Sequence, residues 1–226
     1  MFDRASGEGD TVCADDLVHR MLAGFDESVV AGDVPQPDVL VRALFAGELG
    51  SLQDGPGVNE PAPKFTLKSH DGRQTIRLVD LVGRKPIVLT FGNITCGRFR
   101  ERFPGVEAIH ERFRDEAFFF TIYVREEHPS DGWILQANIR AGIEVAQPRS
   151  SDERRAVATR CHTLLKCKMP LLVDDIDDRV GNAYSGLPAR LDVIDRTGQV
   201  AYQSGRGPWG FQPGEMEQAL VMCLME

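Results

Sequence analysis

The residue best placed to do chemistry is a cysteine in "LTFGNITCGRFR", residues 89–100. Cys96 follows an apolar run that begins at Ile87 and precedes a charged, helix-compatible stretch. A thiol where a strand hands over to a helix meets the positive end of the helix macrodipole and free backbone N–H groups, both of which favour thiolate over thiol. Arg98 and Arg100 add positive charge nearby. The expectation is a Cys96 pKa below that of a free cysteine and a nucleophilic sulfur. Phe99 stands where a local dithiol would need its second cysteine, so Cys96 must attack as a single thiol. The oxidised sulfur is then resolved by an external thiol or by a distant cysteine, for which Cys167 is the candidate. The alternative for Cys96 is a buried, inert core thiol.

The elements that must position this thiol are legible from periodicity. "PIVLTFG" (86–92) is a short apolar run, as in a strand buried on both faces. A helix is expected from Gly97 to Phe113, a strand in "AFFFTIYV" (117–124), and a helix in "SSDERRAVATRCHTLL", entered through a serine cap and acids. "MPLLVDD" is a strand, "RLDVIDRTGQVAYQSG" two strands turning at Arg196-Thr197-Gly198, and "QPGEMEQALVMCLM" a final helix with Met216, Leu220 and Cys223 on one face. "KFTLKSHDGRQTIRLVDLVG" reads as a short hairpin and a helical turn. The order β-α-β then β-β-α is that of the thioredoxin fold, whose proline before the third core strand, usually cis, has its counterpart in Pro188 of "GLPARLDVID". The fold class is therefore α/β, thioredoxin-like, with an N-terminal helical extension. Residues 1–57 form that extension and its linker: Leu17, Val18, Met21, Leu22, Phe25 and Val29 fall at helical spacing, and "SLQDGPGVNEPAP" is rich in turn residues. This hairpin packs on residues 58–226 or on a second copy of the chain, which would make a homodimer.

Bulk properties exclude several classes. The chain has 226 residues, a formal net charge of −8 and 42% hydrophobic residues, the balance of a soluble globular protein rather than a nucleic-acid binder. Five cysteines at irregular spacing, without C-x-x-C, describe neither a zinc ribbon nor a disulfide scaffold, and fit reduced thiols in a cytoplasm. No apolar segment approaches the ~20 residues of a membrane span, and no signal peptide is expected. The five histidines form no metal-binding pattern, and "VDDIDDR" (173–179) lacks the glycine and glutamate of a calcium loop, so it is read as a solvated loop. A peroxiredoxin is disfavoured because Asn93, not threonine, lies three residues before Cys96.

At this point the sequence resembles the iodothyronine deiodinases, thioredoxin-fold enzymes that reductively remove iodide from thyroid hormones with a selenocysteine. Their F-G-S-x-T-U is matched by Phe91, Gly92, Asn93, Ile94, Thr95 and Cys96, with cysteine where they carry selenocysteine. Their Y-I-x-E-A-H-P-S-D-G-W is matched from Tyr123 to Trp133, with H-P-S-D-G-W intact from His128. Their Q-H-R-S-L-E-D-R is matched more loosely by "QPRSSDER", and their G-x-R-G-P by Gly205 to Pro208. The resemblance covers roughly residues 60–226. It implies a proton-transfer role for His128 and Glu126, joined by Tyr123. Thr95 then helps to position the thiolate, and Arg206, with Pro188 and Phe91, lies on the substrate side. Pro148 replaces the histidine of the third motif, and Ile94 replaces a cysteine that some members carry. The implied activity is a thiol oxidoreductase acting on a small molecule such as a halogenated phenol, with no bound cofactor or metal and an external reductant, a small thiol or thioredoxin. A one-cysteine peroxide or disulfide reductase and a redox-inert binding module are the alternatives.

Overall fold

The computed structural model describes residues 54–207 and 209–225, with Val41. The expected N-terminal hairpin, Val41 apart, lies outside the described residues, as do Cys13 and Pro208.

A seven-stranded mixed sheet forms the centre. Its strands are β1 (Thr66–Ser69), β2 (Thr75–Arg77), β3 (Ile87–Gly92), β4 (Phe118–Tyr123), β5 (Leu171–Val173), β6 (Arg190–Ile194) and β7 (Val200–Gln203). They lie in the order β2-β1-β5-β4-β3-β6-β7. β3 pairs in parallel with β4, from Ile87↔Phe118 to Gly92↔Tyr123, and antiparallel with β6. Every residue of β3 is buried, as its unbroken apolar pattern requires of a strand covered on both faces.

Among residues 54–225 as described, five helices accompany the sheet: α1 (Gly97–Phe113), α2 (Gln136–Arg140), α3 (Ser151–Leu165), α4 (Arg179–Tyr184) and α5 (Pro213–Met225), besides a 3-10 turn at Leu78–Asp80. On one face Val88, Leu191 and Val193 meet Phe99, Phe103 and Ile109 of α1, Ala158 and Cys161 of α3, and Met216, Leu220 and Cys223 of α5. On the other, Ile87, Leu89 and Phe91 meet Phe65, Leu78, Tyr184 and Leu187. Ser150 caps α3 by accepting the Glu153 N–H at 3.2 Å, the cap that its sequence signals. The Leu187–Pro188 peptide is cis. The end of the linker is tied into the sheet: Asn59 and Ala62 donate to the Val200 and Gly198 carbonyls.

α2 and α4 are not evident from periodicity. Both are too short to be stable alone, and tertiary contacts hold them. The solvated reading of residues 173–179 is corrected for Asp174, which is buried and accepts the N–H groups of Gly181 (2.7 Å) and Val180 (3.1 Å) at the start of α4. Burial pushes that carboxyl up to about 6. Among the described residues no helix is long and apolar enough to cross a membrane.

Candidate functional site

The candidate site is built where β3 ends and α1 begins. Cys96 is the N-cap of α1, in an extended conformation. The turn leading to it is organised by one side chain, buried Asn93. Its Oδ1 accepts the Cys96 N–H (2.9 Å), the Glu127 N–H (3.3 Å) and the Thr95 hydroxyl (2.9 Å), while its Nδ2 donates to the Pro188 carbonyl (3.1 Å). Asn93 thus ties the cysteine turn to the loop after β4 and to the cis-proline turn.

Thr95 and Glu126 form the inner part of the site. Glu126 has no exposure, and its Oε2 accepts both the Thr95 N–H (3.1 Å) and the Thr95 hydroxyl (2.7 Å). A hydroxyl carries one proton, so Thr95 shares it between Glu126 and Asn93. Glu126 Oε1 accepts the Tyr123 hydroxyl at 2.5 Å, and that phenolic oxygen accepts the Ile94 N–H at 3.1 Å. Gln147 clamps the Glu126 backbone on both sides, at 3.0 Å each. Burial raises the Glu126 pKa; the Tyr123 and Thr95 donors oppose it. Burial and Glu126 raise Tyr123 in turn.

His128 is held by its backbone N–H on the Thr95 oxygen (3.1 Å) and edge-on against Trp133, with ring centroids 4.7 Å apart. Its Nδ1 lies 3.1 Å from the Trp133 carbonyl, which only a ring N–H can satisfy, so Nε2 is the nitrogen left for chemistry. Nε2 faces not Glu126 but Glu127, at 3.4 Å.

The low pKa expected of Cys96 is corrected. Burial pushes the thiol well above its ordinary value, and the Glu127 carboxylate raises it further; the Phe99 N–H and Arg100 pull it down less strongly. A helix N-terminus lowers a thiol's pKa only to the extent that desolvation and neighbouring anions allow. Arg98 makes an ion pair with Glu101 at 2.9 Å on the surface, and the cation that counts is Arg100. Arg100 donates to the Ile94 carbonyl and, at 2.7 Å, to Asn138 Oδ1, and Asn138 donates to the Thr95 carbonyl at 2.8 Å. Burial pushes Glu127 up, but His128, the Cys96 thiol and Arg100 outweigh it and hold the carboxyl below its usual range.

Phe99 explains the missing second cysteine. Its ring lies in the core against Phe103 and covers Gly92, where an added Cβ would come within 2.2 Å of it. The position of a dithiol partner is thus a packing position. Phe91 is equally buried, against Tyr184, and is part of the core rather than a surface that a substrate reaches. Arg206 is half-buried in a loop whose Gly207 N–H bonds the Ala189 carbonyl (2.8 Å), next to Pro188 and so at the same end of the sheet. Cys167 is buried beyond α3, its thiol pushed up to about 12, and the thiol that it influences is Cys161 rather than Cys96. The four described cysteines are all free thiols. Tyr123, Thr95, Glu126, His128 and Cys96 are thus brought together; Phe91 and Cys167 are not.

Sequence reasoning missed Asn93, Glu127, Asn138 and Gln147. The signal for Glu127 was its place between two residues already singled out. Gln147 opens the loosely matched "QPRSSDER", whereas Asn138 left no signal, because its partners are far away in sequence.

A sequence model described as "Iodothyronine deiodinase" matches residues 39–222. The thyroxine 5-deiodinase of Gallus gallus is 29% identical over 208 residues, which cover 84% of this chain and 78% of that protein. That of Sus scrofa is 32% identical over 180 residues, covering 78% of this chain and 56% of that one. The chain therefore spans between about half and four fifths of these relatives. Among solved structures, a putative protein disulfide isomerase from Bacteroides thetaiotaomicron matches with a TM-score of 0.54 at 20% identity, covering 79% of this chain and 94% of the other. At that identity the likeness is one of fold, and the fold is thioredoxin-like.

Proposed function

The chain belongs to the iodothyronine deiodinase family, and from that premise we propose that it is a thiol-dependent reductive dehalogenase of iodinated phenolic compounds. The observation that carries this reading is the convergence of the Cys96 thiol, a Thr95–Glu126–Tyr123 hydrogen-bond network and His128 at one strand–helix junction. In the proposed reaction the Cys96 sulfur, as thiolate, attacks the iodine of an aryl iodide. The S–I bond forms, the C–I bond breaks, and its electron pair stays on carbon, which takes a proton from the His128 side of the network. An external thiol, small or thioredoxin-borne, displaces iodide from sulfur to give a mixed disulfide, and a second thiol releases Cys96. The sum is aryl iodide plus two thiols to arene, disulfide, iodide and a proton. Arg206, beside the cis-proline turn, supplies a cation for a phenolate or carboxylate. The cytoplasm is the compartment that supplies such thiols.

The test is iodide release from 3,5-diiodotyrosine and from thyroxine with dithiothreitol as reductant. Release that is lost by at least about 10³-fold in Cys96→Ser supports the reading. Rapid sulfenate formation with hydrogen peroxide and no iodide release would replace it with a one-cysteine peroxide reductase. A Cys96 inert to both substrates and to alkylation would leave a binding module on this fold.

A further inference from the structure

The sequence places a second glutamate beside Glu126, at a position where the motif quoted above carries alanine. The two do different things. Glu126 is wholly buried and spoken for by Tyr123 and Thr95, whereas the Glu127 side chain is 17% exposed. The Glu127 N–H shares the acceptor Asn93 Oδ1 with the Cys96 N–H, so one oxygen anchors both backbones. From that anchor the Glu127 carboxylate lies close enough to the Cys96 thiol on one side for each to shift the other, the carboxylate raising the thiol and the thiol lowering the carboxyl. On the other side its Oε2 lies 3.4 Å from His128 Nε2. The charged and titratable groups around this pair are Arg100 from α1, Tyr123 from β4, Glu126 and His128 from the following loop, and Cys161 from α3.

We propose that Glu127 is a catalytic proton acceptor, taking the proton of Cys96 Sγ and passing it to His128 Nε2. The inference rests on the reading of Cys96 as the nucleophile. In the first step the Sγ–H bond breaks, its electron pair remains on sulfur, and the proton bonds to a Glu127 oxygen. In the second, that O–H bond breaks and the proton joins the lone pair of Nε2, while Nδ1–H stays on the Trp133 carbonyl. No oxidant or reductant is consumed. The arrangement reconciles a thiol that is protonated at rest with a thiolate at the moment of attack: the proton leaves only as sulfur begins to react, and it leaves toward the group that must later deliver one.

The experiment is the pH dependence of Cys96 alkylation by iodoacetamide, followed by site-resolved mass spectrometry, in the full chain and in Glu127→Gln and Glu127→Ala. Thermal melts establish that each protein is folded at the pH used. With the relay, the wild-type rate becomes independent of pH over a range below the pKa of a free thiol, because the proton lost by sulfur stays within the relay. In both variants the rate keeps falling about tenfold per pH unit, in step with the free thiolate fraction. Equal slopes in wild type and variants overturn the relay and leave Cys96 as the nucleophile. A folded wild type whose Cys96 does not react at any pH overturns the nucleophile reading, and the relay falls with it.

Discussion

Glu126 and Asp192 are two carboxylates with the same burial, none of either being exposed, and with opposite surroundings. Glu126 stands in the loop after β4 and meets the Tyr123 hydroxyl, the Thr95 hydroxyl and the Thr95 N–H. Asp192 stands in the middle of β6, in register with Leu89 of β3 and Gln203 of β7, and neither of its oxygens has a hydrogen-bond partner among the described residues. Burial pushes Asp192 up to about 7, against the pull of Arg190 and of the neighbouring Gln203 amide, which makes no well-formed hydrogen bond with it; the Arg190 guanidinium is itself turned to the carbonyls of Ser204, Asp54 and Tyr184. Burial disfavours ionised Glu126 as well, but there three donors oppose it. A buried acid becomes a positioned part of a site when donors converge on it, and a source of pH-dependent instability when they do not.

The largest effect on activity is expected for Glu126→Gln. The amide cannot accept from all three donors, so iodide release should fall about 10²-fold and stability by about 2 kcal/mol, as a buried donor is left unpaired. Loss of activity without loss of stability, read from a melt alongside the assay, would mean that the donors are not engaged at Glu126. Next comes Asp192→Asn. The native state holds a proton on Asp192 more tightly than the unfolded chain does. Stability of the wild type should therefore fall as pH rises from about 4 to about 7, with the full penalty present above that. Asp192→Asn removes the ionisation, and should raise stability at pH 8 by about 4 kcal/mol while leaving it unchanged near pH 4. Denaturant titrations at the two pH values measure both, and equal differences at both would remove ionisation as the cause. Tyr123→Phe deletes one of the three donors to Glu126 and should cost about 1 kcal/mol and roughly tenfold in activity. A variant as active as wild type would detach Tyr123 from the proton network. The smallest effect, and the control outside both regions, is Ser150→Ala. It removes the α3 cap, costs about 1 kcal/mol in a melt, and leaves the pH dependence of the other two regions as it was.

Much of the fold could be read directly. β3 shows as a continuous apolar run because both of its faces are covered, and α1 shows because Phe99, Phe103, Val106 and Ile109 recur at helical spacing and are all buried. α2 and α4 escaped because five and six residues carry too little periodicity. What makes them helical lies elsewhere: Asp174 at the start of α4, Arg100 and Thr95 against α2. The candidate site divides in the same way. Cys96, Thr95, Glu126, His128 and Tyr123 were visible as residue types in two short stretches. Phe91, in one of those stretches, proved to be core, because a strand buried on both faces shows no alternation that would mark a side for a ligand.

The order of elements, the strand–helix junction that carries Cys96 and the proline that stands beside it follow from local pattern and chain connectivity. The electrostatics of the site come from the folding of the chain in three dimensions. Folding buried Cys96 deeply enough to raise its pKa, set Glu127 rather than Glu126 against His128, and made Asn93 the shared anchor of two loops. The physical reason is that burial and charge–charge distance depend on groups brought together from β3, α1, the loop after β4 and the turn before β6. Chain separation carries no record of those distances.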